Sequence, residues 1–427
     1  MTILSNQFTN REDHIRYIRE HFPHLNPSDH HVSPIQGGHR AGQVALQRIN
    51  PIRYGKTRDY LNGAVTRLSP YIRHGVLNLV DVRQHALTLA SPTQAESFIQ
   101  ELTWREYWRR VYGVLGNRIW EDQEPYKTGY SAHHYAPTLP RDIRYGTTDS
   151  PLMNAIIREL LEVGYLHNRL RMYVAAYVVH WRKVQWQAGA AWFLEHLLDG
   201  DPASNNLGWQ WVASTFASKP YLFNWENVKK FDGGRFDDLA PEPTFNQSYE
   251  ALQRTLFRVA PPTPDHLPRP NHDRLKRVAR PRWSVHSTLK KPIIWVHGDN
   301  LNQQARAFTL YPNAPAVFVF DRPTLKLYDL SLKRVLFLYE SLLELPVEIH
   351  LGQTVEKVLA CAQRHHADGI VTMSSEAVGF RRRVQQLRAH TTVHVLDERA
   401  LVEGEQAYDL RRFMRFWNQV RDQALFP

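Results

Sequence analysis

Four short stretches hold residue types whose spacing could do chemistry together. The densest runs Asp199-Gly-Asp-Pro-Ala-Ser-Asn-Asn-Leu-Gly-Trp-Gln-Trp211. Asp and Asn side chains bond nearby backbone groups and so favour turns and helix starts. Trp209 and Trp211 are costly to expose, and each indole N–H wants a partner. The pattern predicts a buried polar turn running into a packed helix; a capped helix in a tryptophan-rich core accounts for it equally well. Upstream, Thr66-Arg-Leu-Ser69 places two hydroxyls and a guanidinium just before a helix-compatible run. Hydroxyls, backbone N–H groups and the positive end of a helix together suit phosphate, although Thr and Ser are also ordinary caps. Glu101, Trp104 and Arg105 stand at i, i+3 and i+4, on one helix face. A carboxylate, a flat indole and a cation there suit a nucleobase; an intrahelical Glu–Arg pair beside a core tryptophan is the plainer alternative. Finally, His167-Asn-Arg-Leu-Arg-Met172 opens the apolar run Tyr173 to Val179, and arginines beside so apolar a segment need partners.

Several elements must position these groups. The pattern from Phe98 to Tyr112 predicts a largely buried helix. Asp149-Ser-Pro151 predicts the start of another, with Pro151 in its first turn. The run VVHWRKVQW reads as a helix ending at Trp186. Residues 240–291 are rich in Pro and basic residues and read as a linker. Beyond Pro292, the β-rich runs PIIWVHG, APAVFVFD, VEIHLG, DGIVTM and TVHVLD alternate with helical stretches, which predicts a parallel α/β sheet. Residues 405–427 read as an amphipathic helix docking on one of the domains. The expected division is therefore a helical domain over 1–239, the linker, an α/β domain over 292–404, and that last helix.

Composition bounds the rest. The chain has 427 residues, 43% of them hydrophobic and 22% charged, an ordinary soluble profile with room for two or three domains. Its net charge of +11 favours polyanionic partners, nucleic acid first among them. Cys361 is the single cysteine, so no intrachain disulfide can form, which fits a reducing compartment. The His-His pairs at 30–31, 133–134 and 365–366 read as structural or surface residues, and no metal site is expected. No secretory signal and no membrane-spanning apolar run is visible, so the expected location is the cytoplasm.

Taken in order, the stretches resemble the photolyase/cryptochrome family, and most closely its cyclobutane pyrimidine dimer photolyases. The acid-Gly-acid turn, Asn pair and Gly-Trp-x-Trp of 199–211 are similar to that family's flavin-pocket signature. Tyr54, Arg58, Asp59 and Tyr60, followed by Thr66, Arg67, Leu68 and Ser69, are similar to its phosphate-binding segment, with Val65 standing where the family has a hydroxyl. Glu101, Trp104 and Arg105 match its Glu-Leu-x-Trp-Arg-Glu pattern. The resemblance implies a helical FAD-binding domain followed by a Rossmann-like parallel α/β domain, in the reverse of the usual order, as in a circular permutation.

It further implies FAD bound by Tyr54, Thr66, Arg67, Leu68, Ser69, Arg105, Arg171, Asp199, Gly200, Asp201 and Asn205. Arg171 would pair with Asp199, and Asn205 would accept from or donate to the flavin N5. Glu101, Trp104, Asn168, Arg169, Met172 and Trp211 would receive the lesion. Trp209 and Trp186 would carry electrons; the family's outer tryptophan has no match, leaving Tyr130, Tyr135 or Trp181 to replace it. The implied activity is blue-light repair of UV-damaged DNA, single- or double-stranded, by a monomer. A cryptochrome-like photoreceptor with a signalling partner is the alternative. An antenna chromophore of unidentified class is also implied, although Gly298-Asp-Asn-Leu-Asn302 departs from the family's strand-end signature.

Overall fold

The computed structural model describes residues 3–25, 30–258, 272–279, 283, 289–404 and 406–427. Much of the expected linker, including 259–271 and 284–288, lies outside the described residues, as does Glu405. The described part of that stretch includes a helix at Tyr249–Leu256 capped by Ser248.

All five β-rich runs after Pro292 are strands: β2 (Ile293–Val296), β3 (Ala316–Asp321), β4 (Glu348–Gly352), β5 (Ile370–Met373) and β6 (Val393–Leu396). They pair in parallel, and their near-continuous apolar runs are buried on both faces. Among these five strands the sheet order is β4-β3-β2-β5-β6. The order reverses at β2, so the strand ends of β2 and β5 open onto a crevice of the kind that binds ligands in open α/β sheets.

One boundary differs from the expected division. The first strand, β1 (Ile3–Leu4), lies antiparallel on β4, with Ile3 opposite His350. The helix Arg11–His21 follows, and Arg11 bonds Glu340 at 2.7 Å in the helix Leu332–Leu342. The polar, His-rich start of the chain thus packs with the α/β part. Its few apolar residues, Leu4, Ile18 and Phe22, are enough to bury one edge.

Helical segments fill the middle of the chain. The longest, Pro92–Leu115, starts at a capping box of Ser91 and Gln94 and buries Phe98, Leu102 and Tyr107. Pro151 opens Pro151–Val163 behind its Ser150 cap, as expected. The helix Asn168–Ala176 runs into a wider turn at Tyr177–Trp181 and stops. The reading of VVHWRKVQW as one helix ending at Trp186 is therefore corrected. Lys183 takes a positive φ of 49°, and Trp186 begins the next helix, Trp186–His196. The run is apolar enough for a helix, but its backbone turns at Arg182–Gln185 so that Trp186 points into the core, fully buried. Asp201 caps Pro202–Ala213, giving the buried turn and packed helix expected there. The last helix, Phe413–Leu425, docks on Pro92–Leu115, where Phe413 stacks on Trp104 with centroids 3.6 Å apart. Among the described residues, no helix is long and apolar enough to cross a membrane.

The helices Trp186–His196 and Pro202–Ala213 meet closely because Gly189 has no side chain. A methyl there would fall 2.2 Å from Cη2 of Trp209. Gly189→Ala is expected to displace the Trp209 ring and to cost about 1–3 kcal/mol, the usual penalty of overpacking. Denaturant unfolding followed by tryptophan fluorescence checks this; an unchanged midpoint and spectrum would refute the tight fit.

Candidate functional site

The four stretches converge on one cavity with two adjoining lobes. One lobe, about 420 Å³, is lined by Asn168, Met172, Asn205, Trp209 and Trp211 among others. The other, about 360 Å³, is lined by Tyr54 and the whole segment Val65–Ser69. Glu101, Trp104, Asn168, Arg171, Met172 and Asp199 line both. These volumes are those of sites for sizeable organic ligands.

The turn at 199–201 is held by charge. Arg171 forks onto Asp199 with bonds of 3.1 and 2.8 Å, the pair expected from sequence. Burial alone would raise the Asp199 pKa, but Arg171 and the Ser69 hydroxyl hold it below the ordinary range. The Gly200 carbonyl accepts from Arg73 and from Arg334, each at 3.0 Å. Asp201 takes a different place from Asp199. Its carboxylate accepts from Arg105 at 3.3 Å and from the Ser204 hydroxyl at 3.1 Å. It faces a second, smaller crevice of about 210 Å³ at the ends of β2, β3 and β5, with Arg73, Arg105 and Asp299. Gly200 and Arg105 line a ligand cavity and this crevice alike. Asp299, from the departing Gly298–Asn302 segment, is bonded by Arg73 and Ser375.

Glu101, Trp104 and Arg105 do share a helix face, but Glu101 and Arg105 do not pair. Glu101 bonds Arg58, while Arg105 turns to Asp201. Burial raises the Glu101 pKa, and Arg58 opposes that rise without cancelling it. Trp104 keeps one face on Phe413 and lines the cavity with the rest of its ring. Trp211, 38% exposed, sits at the mouth beside Tyr221. Asn168 is exposed beside Met172, with its amide 3.7 Å from the sulfur. Arg169 is engaged within the protein. It bonds the Asp59 carbonyl at 2.8 Å and the Asp59 carboxylate at 3.0 Å, and it lies 3.7 Å over the Phe231 ring.

In the phosphate-like segment, Arg67 has a φ of 54° and its guanidinium lies over Tyr165, which Arg171 also covers. Thr66 accepts from the Leu68 N–H at 3.5 Å, and the Ser69 hydroxyl turns to Asp199. Asn205 spends both amide N–H groups, on the Ala190 carbonyl at 3.0 Å and on Asn206 at 3.1 Å. Its carbonyl oxygen alone is left for a ligand, so the expected choice between accepting and donating reduces to accepting.

Three observations test whether a flavin nucleotide fits. Trp209 Nε1 and Arg105 Nε, both on the cavity wall, are buried without a hydrogen-bond partner among the described residues. Gly208 faces open space, with nothing within 4 Å of where a side chain would begin. The lobe at 65–69 offers a guanidinium and hydroxyls, and the lobe at 199–211 offers an amide and indoles. The residues present fit an extended aromatic ligand with a charged, phosphate-bearing end.

Sequence reasoning missed several neighbours. Tyr165, Trp108 and Phe193 line the cavity, and Phe193 packs edge-on to Trp209 at 5.0 Å. Trp120 lies parallel to Trp186, 6.5 Å away at 9°. Tyr135 instead stacks on Tyr126, and Trp181 packs against Phe223 and Phe245. Trp186 donates its N–H to Asp122 at 2.6 Å.

His167 sets the lip. Its Nε2–H donates to the Arg58 carbonyl at 3.0 Å, and its Nδ1 accepts from the Arg169 N–H at 3.1 Å, capping the helix Asn168–Ala176. Only a neutral ring can do both. Burial, followed by the nearby arginines, lowers its pKa to about 4. A depressed pKa gives stability that is present above 6.5 and lost as pH falls through about 4. The loss is expected to be at most about 3 kcal/mol. His167→Asn keeps a capping side chain without a titrating group. Urea midpoints between pH 7 and pH 4 should fall less in that variant than in the parent; equal slopes would remove His167 from the acid response.

Residues 98–238 match the family model described as the FAD binding domain of DNA photolyase. The chain is 34% identical over 179 residues to a deoxyribodipyrimidine photo-lyase of Halobacterium salinarum, covering 40% of this chain and 37% of that one. It is 31% identical over 188 residues to the Streptomyces griseus enzyme of that name, covering 42% and 40%. The chain thus spans about two fifths of the length of these curated relatives. A crystal structure of a class III photolyase from Agrobacterium tumefaciens aligns over 54% of this chain and 53% of that one, at 26% identity and a TM-score of 0.41. Over this FAD-binding domain, the chain is similar to members of the photolyase/cryptochrome family.

Proposed function

We propose that this protein is a blue-light-driven flavoprotein that splits cyclobutane pyrimidine dimers in DNA. The observation that carries the reading is the shared cavity: one wall holds the Arg171–Asp199 pair and the 65–69 segment, and the mouth holds Glu101, Trp104, Asn168, Met172 and Trp211. FAD would be held by Arg67, Ser69 and Tyr54 in one lobe and by Arg171, Asp199 and Asn205 in the other. Bound in its reduced form, FAD supplies light absorption and the electron that opens the dimer. Asn205 would offer its carbonyl oxygen to a protonated ring nitrogen.

The chain's own residues do the rest. Trp104 and Trp211 offer indole faces to the two bases of a flipped-out dimer, with stacking worth about 1–3 kcal/mol per base. Trp104 is fixed from behind by Phe413, so its ring need not be ordered on binding. Glu101 holds its proton more tightly than an exposed carboxyl and can donate it to a base carbonyl. Arg58 is its counter-charge. A DNA phosphate that draws Arg58 away leaves Glu101 buried and unpaired, which raises its proton affinity further. Met172 and Asn168 complete the rim. Net positive charge supplies the long-range attraction to DNA.

A photoreceptor is the second reading, favoured by Arg169, whose guanidinium is taken up by Asp59 and Phe231 rather than presented to DNA. Repair of a thymine dimer in a single-stranded oligonucleotide, with flavin pre-reduced, separates the two. Light-dependent recovery of thymine supports repair; no recovery with flavin bound favours the photoreceptor. Glu101→Gln is expected to slow repair at least tenfold while flavin stays bound; equal repair would exclude a proton at Glu101 from the reaction.

Trp120 stands where the electron that refills an oxidised Trp186 would come from. Trp120→Phe should slow photoreduction of oxidised flavin by an external thiol, with repair by pre-reduced protein unchanged. It should also remove the Trp120–Trp186 exciton signal from the far-ultraviolet circular dichroism of the flavin-free protein. Unaltered photoreduction with that signal lost would place the point of electron entry elsewhere.

A further inference from the structure

The sheet edge remote from the cavity carries a second cluster of chemically able side chains. Glu348 and His350 stand two apart on β4 and so project to the same face. Cys361 and His365 stand four apart, on one face at the end of the helix Thr354–Arg364. A Glu348 oxygen, the Cys361 sulfur and a His365 nitrogen all lie within 4.8 Å of one another. His365 Nε2 is 3.2 Å from Glu348 Oε1, and His350 Nε2 is 3.2 Å from Glu348 Oε2. His350 is wholly buried, and its Nδ1 has no hydrogen-bond partner among the described residues. The fold leaves that polar capacity unused, and buried polar groups are otherwise almost always satisfied.

We propose that Glu348, Cys361 and His365 bind one divalent transition-metal ion of the zinc class, with His350 orienting the carboxylate. The donor set of one thiolate, one imidazole and one carboxylate is what zinc takes, with an open fourth position for water. Tetrahedral bonds of about 2.0–2.3 Å require ligand atoms roughly 3.3–3.7 Å apart. Glu348 and His365 are each about a third exposed, so small side-chain rotations close the present spread. Cys361 is buried beneath them. Binding would replace the thiol proton by the metal and release one proton to solvent. A thiolate and a carboxylate balance the two positive charges. Arg364, which bonds Glu348 at 2.8 and 3.0 Å, stays outside as a partner of the carboxylate. The ion would tie β4 to the helix behind it, at the edge where β1 pairs.

Because Cys361 is the single cysteine, cobalt(II) is a direct probe. Titrating the tag-free full chain with Co²⁺ should give one equivalent of binding and a thiolate-to-cobalt charge-transfer band in the near ultraviolet. Zn²⁺ should displace it. Cys361→Ser should abolish the band, and His365→Ala, at an accessible position, should weaken Zn²⁺ binding at least tenfold with circular dichroism unchanged. A parent chain that binds Co²⁺ without the band, or not at all, overturns the proposal. So does a His365→Ala chain that binds Zn²⁺ as tightly as the parent.

Discussion

Three residues, Asp199 to Asp201, are gripped by four arginines from four places in the chain. Arg171 takes Asp199, Arg105 takes Asp201, and Arg73 and Arg334 share the carbonyl of Gly200. Buried charges survive only when paired and hydrogen-bonded, so this arrangement tolerates no missing member. It fixes the start of the helix that carries Asn205, Trp209 and Trp211. It also joins the helical part to the α/β part, because Arg334 lies on the helix Leu332–Leu342 and Arg73 reaches Asp299 past the end of β2. The wall of the large cavity and the wall of the small crevice are two sides of this one knot.

The cavity inherits its polarity from the same economy. Nearly every cation lining it already has a protein partner: Arg58 on Glu101, Arg169 on Asp59, Arg171 on Asp199. Arg67 lies instead over an aromatic ring and is exposed. A ligand therefore meets a site whose charges are mostly balanced, and it gains by exchanging partners. Where an acid is left behind by such an exchange, its proton affinity rises, and this couples ligand charge to the protonation of Glu101.

Much of this was legible in the residues. The five strands announced themselves as apolar runs with helical stretches between, and the helix starts at Ser150-Pro151 and Asp201-Pro202 carried their own caps. The Arg171–Asp199 pair followed from resemblance together with the need to pair a charge beside an apolar run. Other features were not legible, for physical reasons. A two-residue strand has no periodicity, so nothing local marks Ile3–Leu4 as part of a sheet made nearly three hundred residues later. The break before Trp186 rests on a positive φ at a lysine, where sequence offers no glycine to signal it. Asp199 and Asp201 look equivalent in sequence, yet the turn between them sends their carboxylates to different cavities. Trp120 is adjacent to Trp186 only through tertiary packing, and no spacing rule reaches across sixty residues.

The pairing of β1 with β4 bears on how the chain comes into being. As the polypeptide is synthesised, Ile3 and Leu4 are made long before Glu348–Gly352 and must wait for that strand before they can join a sheet. The helices around the cavity can gather earlier, since their contacts are nearer in sequence. The turn at Gly200 nonetheless lacks one of its arginines until residue 334 has been made. Contacts of such long separation are slow to form. Order in the ligand cavity therefore waits for the helix Leu332–Leu342, and whatever the cavity holds is captured only by a chain that already includes Arg334.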